Sequence, residues 1–307
     1  MSMRIVSFAV LSAAGFLLTA CATPLPAHEA LPPAAHDQIA STEAVVPIRQ
    51  NEIYVYVPPS TAGATAGAGF GLIGALVGVA IDASVDSART SKAEAAVKPL
   101  RDAMVDFNFD TTFQGDLKTA LPAIAWLHAD NIHVVKEVTS DSADLALTNS
   151  KASAVLFTTA DYHLSNDGDE LFVTLQASLF ANNDALRVLK PAKSRGPRVA
   201  LENSLYHNTL TFKARVSSWT PVSSSDRDAN MATWSAANGA EMHQQLARAA
   251  KVLAQMLADD LQGGAQPGSD GTRNVDGIPG DISSSDDAGS VLRMKDGTLV
   301  YATKSLL

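Results

Sequence analysis

Seven histidines are the first residues to test for chemistry: His28, His36, His128, His133, His163, His207 and His243. None falls in a His-Glu-x-x-His arrangement or another metal-ligand spacing. His128 and His133 stand five apart with Asp130 between them. That spacing fits a metal pair or a solvated helix-to-strand turn, and the turn is the simpler account. His163 and His207 fall on expected strands, where a hydrogen-bonded imidazole needs no catalytic role. The acidic runs Asn166-Asp167-Gly168-Asp169-Glu170 and Asp270-Gly271, Asp276-Gly277, Asp281 hold oxygens suited to calcium. Neither keeps the alternation and terminal glutamate of a twelve-residue calcium loop. There is no Gly-x-Ser-x-Gly elbow and no Walker loop. Gly67, Gly69 and Gly71 alternate without the strand-to-helix setting of a dinucleotide site. Trp126, Trp219 and Trp234 read as core or boundary anchors. These residues predict a protein without catalytic, metal or cofactor chemistry.

Composition bounds the rest. The chain has 307 residues, 46% hydrophobic and 18% charged, with a net charge of -9. That is too apolar for a mainly disordered protein. The acidic balance argues against a nucleic-acid partner, which requires basic surfaces to meet phosphates. A single cysteine, Cys21, excludes a disulfide within the chain and an all-cysteine zinc site.

Residues 1–21 place one cation, Arg4, before an apolar run from Ile5 to Leu18. The run is shorter than the roughly 20 residues of an ordinary spanning helix. A positive start, a short apolar centre and small residues before a cut site describe a secretory signal. The end, Leu18-Thr19-Ala20-Cys21, resembles the bacterial lipoprotein signal, and it uses the only cysteine in the chain. The resemblance implies cleavage after residue 20, a diacylglycerol thioether on Cys21 and acylation of its new amino group. Ala22, rather than aspartate, follows the cysteine, which in that family implies the periplasmic face of the outer membrane. Several acyl chains make a stable anchor where one is marginal. Residues 21–50, with Pro24, Pro26, Pro32 and Pro33, read as a disordered tether.

Residues 51–90 open with a strand candidate, Ile53 to Val57, followed by a glycine-rich apolar stretch. At 100° per residue, Gly63, Gly67, Gly71, Gly74 and Gly78 share one face about 80° wide. Five interior glycines cost a helix in water about 5 kcal/mol relative to alanine. Close helix approach offsets such a cost, as in small-xxx-small packing within membranes. The 21 residues from Thr61 to Ile81 would span about 31 Å as a helix, near the thickness of a bilayer core. The pattern resembles the glycine-zipper segments of bacterial envelope proteins. Three readings stay open: a zipper helix packing on another helix in or near the membrane, a helix inside the folded body, and a flexible loop.

Residues 91–262 carry the periodicities of a folded domain. Ala93, Val97, Leu100, Met104 and Phe107 follow helical spacing, with a kink or break expected at Pro99. Thr111 or Thr112 is placed to cap a second helix bearing Phe113, Leu117 and Leu121. Pro122 to His128 reads as a helical turn, Ile132 to Val138 as a strand, and 141–150 as a short helix or loop. Ala154–Leu164 and Leu171–Phe180 flank an Asn-Asp-Gly turn, a hairpin signal. Leu186–Leu189 and Ser204–Val216 read as strands. Ala237–Leu261 is the clearest helix, ended by Gly263-Gly264. Residues 263–289 read as a flexible linker and 290–307 as a C-terminal β-hairpin that must dock on the sheet or on a partner.

Helices, then strands, then a long helix predict an α/β (α+β) fold: a mixed sheet flanked by helices and preceded by a Gly-rich helix. The layout is similar to envelope lipoproteins whose periplasmic domain is related to the curli-export channel or the TolB amino-terminal domain. Together these readings predict a lipid-anchored, non-enzymatic structural or assembly subunit of a cell-envelope complex. It would be held to the membrane by its lipid and would pair with itself or another envelope protein. The alternatives are a ligand-binding or transport-accessory lipoprotein, which requires a deep apolar pocket, and a cell-wall enzyme, which the missing motifs disfavour.

Overall fold

The computed structural model describes residues 26–48, 50–57, 87–136, 140–191, 198–216, 227–263, 273–275 and 277–303. The lipoprotein signal, Cys21 and the five glycines lie outside them. The strands are β1 (Thr42–Pro47), β2 (Tyr54–Val55), β3 (Asn131–Val135), β4 (Ala154–Leu164), β5 (Glu170–Ala181), β6 (Tyr206–Arg215), β7 (Arg273–Val275), β8 (Ile278–Ser285), β9 (Gly289–Arg293) and β10 (Leu299–Thr303). They form one mixed sheet in the order β3-β1-β4-β5-β6-β10-β9-β8-β7. Parallel pairs join β1 to β3 and β4, and β10 to β6. The expected hairpin β4–β5 is antiparallel through eleven residue pairs, and β6 continues it.

Alternation assigns the faces. From β4, Ala154, Leu156, Ala160, Tyr162 and Leu164 enter the main core, with Leu171, Val173 and Leu175 of β5 and Leu210 and Phe212 of β6. That core is covered by α1 (Ser87–Ala103), α2 (Phe109–Ala120) and α5 (Arg227–Leu261). Val97, Leu100, Phe113, Leu117, Leu246 and Leu253 are their inward residues. The opposite face is covered at one end by α3 (Ser140–Asn149), whose Ala143 and Leu147 pack with Val45, Val155, Phe157, Phe180 and Val199. Side chains one residue apart on a strand therefore serve two separate cores.

The hairpin turn shows why its residues are needed. Gly168 has φ +71°, a conformation that penalises side chains, and an added Cβ would lie 2.1 Å from Met231 Cε. Trp234 Nε1 donates to the Gly168 carbonyl at 2.8 Å, tying α5 to the turn. At the other side of β4, β1 and β2 both pair with it, at Ala154–Phe157 and at His163–Leu164. Gln50 fills part of the gap: Tyr162 N donates to its Oε1 at 2.9 Å, and its Nε2 donates to the Tyr162 carbonyl at 2.6 Å. A side-chain amide thus imitates one rung of the missing ladder.

Several sequence expectations are corrected. Residues 42–47, assigned to the tether, form β1 between β3 and β4, because a strand buried on both faces reads as a short apolar run without alternation. The 263–289 linker contains β7 and β8. They pair antiparallel, with Val275 opposite Ile278. Leu186–Leu189 is not a strand. It belongs to α4 (Asp184–Leu189), where Asn183 Oδ1 accepts from Leu186 N at 2.8 Å as an N-cap. Asn108, not a threonine, caps α2, accepting from Thr111 N at 2.9 Å. α1 runs through Pro99, at an exposed position where water can take the freed carbonyl. α5 is two helical segments separated by the non-helical Ala236–Gly239, whose last three residues have positive φ; the second, ending at Leu261, is the helix expected over Ala237–Leu261, and the segment from Arg227 was not expected. Gly239 sits there against Ala103 and Met104. The C-terminal hairpin is present as β9–β10, docked by β10 on β6.

Candidate functional site: the polar cluster around Asp260

Asp260 is a carboxylate in the last turn of α5, where the helix dipole disfavours negative charge. Its side chain is only 3% exposed. The residues around it repay that placement. Tyr206 Oη donates to Oδ2 at 2.9 Å, Asn208 Nδ2 donates to Oδ2 at 2.7 Å, and Arg293 Nη2 donates to Oδ1 at 2.7 Å. The imidazole of His28 reaches within 3.8 Å of Oδ2. Strand β6 supplies Tyr206 and Asn208, β9 supplies Arg293, and α5 supplies the carboxylate. Burial, reinforced by Asp260, pushes the Tyr206 hydroxyl well above its ordinary pKa, so it stays a donor.

The chain just after Cys21 is fastened here. Glu29 and His207 exchange backbone hydrogen bonds of 2.8 and 3.1 Å, an isolated antiparallel bridge on β6. His207 Nε2 lies 2.8 Å from the Pro26 carbonyl, and its Nδ1 lies 3.0 Å from Ser204 Oγ. Glu29 forms an ion pair with Lys190, next to α4. Gly297, at φ +89°, lies so close to His28 that a Cβ there would overlap the imidazole. Burial lowers the pKa of His28, opposed by Asp260 and reinforced by Arg293 and His207. Burial also lowers that of His207, opposed by the Pro26 carbonyl and Glu29 and reinforced by Lys190. The cluster joins the amino-terminal segment, the sheet, α5 and the C-terminal hairpin, and it is filled by its own side chains.

A second polar group sits near the far end of β4. Asp161 accepts from Tyr54 Oη at 2.9 Å through Oδ2, and His163 Nδ1 lies 2.9 Å from Oδ1. The imidazole stacks between Tyr54 and Phe172, with centroids at 5.3 and 5.4 Å, and Lys213 covers the Phe172 ring. A histidine oriented by an aspartate is half of a catalytic triad. Here the rings occupy each other's faces, and the arrangement braces β2 against β4, β5 and β6.

The remaining candidate residues are dispersed. His133 faces Glu43 at 3.7 Å, while His128 is a positive-φ turn residue whose carbonyl accepts from Thr42 N. His36 stacks on Trp126 and His243 on Phe107. Glu170, from the first acidic run, pairs with Lys213 and Arg215. Among the described residues, no group of three His, Cys, Asp or Glu side chains is placed to hold a metal, and no helix is long and apolar enough to cross a membrane. A groove of about 310 Å³ runs between α5 and the C-terminal strands, lined by Met256, Asp259, Gln262, Ser283, Val291 and Leu299.

Sequence reasoning missed Asp260, Arg293, Asn208, Glu29 and Lys190. The available signal was an acidic residue in the last turn of an otherwise apolar helix face, the end that favours cations. No family model matches the chain, and no curated protein matches it.

Proposed function

We propose that this protein is a lipid-anchored lipoprotein on the periplasmic face of the outer membrane, serving without catalysis as a structural or assembly subunit of an envelope complex. Leu18-Thr19-Ala20-Cys21 supplies the anchor. The observation that carries the reading is the attachment of Pro26 and Glu29 to His207. Five peptide steps separate Cys21 from Pro26, a reach of at most about 18 Å. A folded body mounted that close to its lipid is a membrane-facing component, in contrast to a domain on a long tether. The shared face of Gly63, Gly67, Gly71, Gly74 and Gly78 supplies a helix-packing contact to a second copy or another envelope protein.

Two measurements test this. Replacing Cys21 with serine should abolish incorporation of labelled fatty acid into the chain and leave it as the longer, uncleaved precursor; unchanged fatty-acid incorporation in that variant would overturn the anchor. Crosslinking of intact envelopes should give a defined adduct that disappears when Gly71 and Gly74 are replaced by leucine. An adduct of unchanged yield would remove the glycine face from the interface.

A further inference from the structure

Five large apolar side chains are exposed among the described residues: Tyr56, Val105, Leu145, Val188 and Leu189. Three of them, Leu145, Val188 and Leu189, belong to the two helices that Arg198 joins. Arg198 Nη1 donates to Thr148 of α3, one turn from Leu145, and its Nη2 donates to Asn182, which precedes α4 and its Val188 and Leu189. Burial lowers the pKa of Arg198, reinforced by the nearby charge of Arg187 and opposed by Asp144. Val188 is 76% exposed, so its burial is not used by the fold. Between Asp184 and Glu202 the sequence holds five cations and no acid, in a chain of net charge -9. Arg187, Lys190 and Arg198 of these lie among the described residues.

The position of this patch selects its occupant. Lys190 immediately follows Leu189 and pairs with Glu29, eight residues from Cys21. The apolar tip of α4 therefore lies beside the segment that leads to the anchor. We infer that Val188 and Leu189 enter the headgroup boundary of the bilayer that holds Cys21, with Arg187 and Arg198 against its anionic phosphates, so that the body rests on the membrane in one orientation. This rests on the lipid-anchor reading above. Exposed apolar residues beside cations are the composition of monotopic membrane contacts. The local acids limit the charge contribution: Asp184 pairs with Arg187 at 3.1 Å, and Lys190 is engaged by Glu29. Apolar insertion is accordingly the main contact.

The anchor consumes the only cysteine, so Val188→Cys introduces a single free thiol for an environment-sensitive fluorophore. Val105→Cys is the matched control, 79% exposed and in the loop after α1. That loop follows Met104, which packs at Gly239, about 31 Å along α5 from Asp260. The full-length lipidated protein would be reconstituted in phosphatidylethanolamine–phosphatidylglycerol vesicles carrying a nitroxide-labelled lipid. Emission at position 188 should shift to the blue and be quenched severalfold more than at 105. Equal quenching at the two positions, in protein that floats with the vesicles and carries lipid by mass spectrometry, would overturn the contact and leave the anchor standing. A Cys21 without lipid would overturn both. A probe at 188 that is wet on vesicles but shielded in native envelopes would overturn the lipid assignment in favour of a protein partner.

Discussion

The molecule contains the same trio of groups twice. Beside the amino-terminal segment, Asp260 gathers the hydroxyl of Tyr206 and the imidazole of His28. At the far end of β4, Asp161 gathers the hydroxyl of Tyr54 and the imidazole of His163. The environments differ. Asp161 keeps 27% of its side chain exposed, whereas Asp260 keeps 3%. The buried carboxylate has an arginine and an asparagine as further donors. Water supplies at Asp161 what Arg293 and Asn208 supply at Asp260, because a buried charge costs several kcal/mol unless paired. The difference also sets what each trio can do. The far one braces strands that are neighbours in the sheet. The near one fastens chain termini that are more than 260 residues apart in sequence, His28 and Arg293.

The largest effect should come from the buried carboxylate. Asp260→Ala leaves Tyr206, Asn208 and Arg293 without their acceptor, and removing one partner of a buried pair costs about 3–5 kcal/mol. Chemical denaturation should show that loss, and Asp260→Ala combined with Arg293→Met should recover part of it. A double variant as unstable as the sum of the two single ones would show that the pair acts independently and that the charge balance is not what matters.

The counterpart at the far end should respond less. Tyr54→Phe removes one hydrogen bond to a half-exposed carboxylate and keeps the ring stacked on His163. Its expected cost is about 1 kcal/mol. Tyr206→Phe deletes the corresponding bond at Asp260, where water cannot replace it, and should cost more. Equal losses in the two variants, measured in the same denaturant series, would erase the distinction drawn from burial.

Legibility in the sequence follows the same division between local and distant contacts. The β4–β5 hairpin was readable because Asn166-Asp167-Gly168 lies between two β-rich runs, and Gly168 indeed takes the positive φ that such turns use. The apolar stripe of α5, Leu246, Leu253 and Leu257, was readable from its period. The mixed sheet flanked by helices was legible as a class. Strand β1 was hidden because both its faces are buried and proline-rich sequence precedes it. α4 was hidden because a six-residue helix contains too little period to outweigh Leu-Arg-Val-Leu, even though Asn183 and Asp184 marked its start. The polar cluster was the least legible. His28, His207, Asp260 and Arg293 come from four distant segments, and each alone resembles an ordinary polar residue. Only the pairing of β10 with β6 and of Glu29 with His207 brings them together.

The smallest effect separates the near cluster by its titration. His28 and His207 have pKa values lowered from the ordinary 6.5, mainly by burial. A group with a lowered folded-state pKa binds its proton more readily when the chain is unfolded. For a cation-forming group, the unfolded state then gains protons as pH falls through 6.5, and the folded state is disfavoured. Stability from this source is fully present above about pH 6.5 and declines as pH falls toward the folded-state values. The unfolding midpoint should therefore drop between pH 7.5 and about 5.5, in the range where histidine titrates. His28→Asn with His207→Asn should flatten that drop. The released segment should be the amino-terminal one, because His207 Nε2 meets Pro26 and the backbone bridge meets Glu29. Amide exchange at Glu29 should accelerate on acidification before exchange in β5 does. Simultaneous acceleration at both places would mean that the histidines destabilise the whole fold and that residues 26–29 have no separate opening.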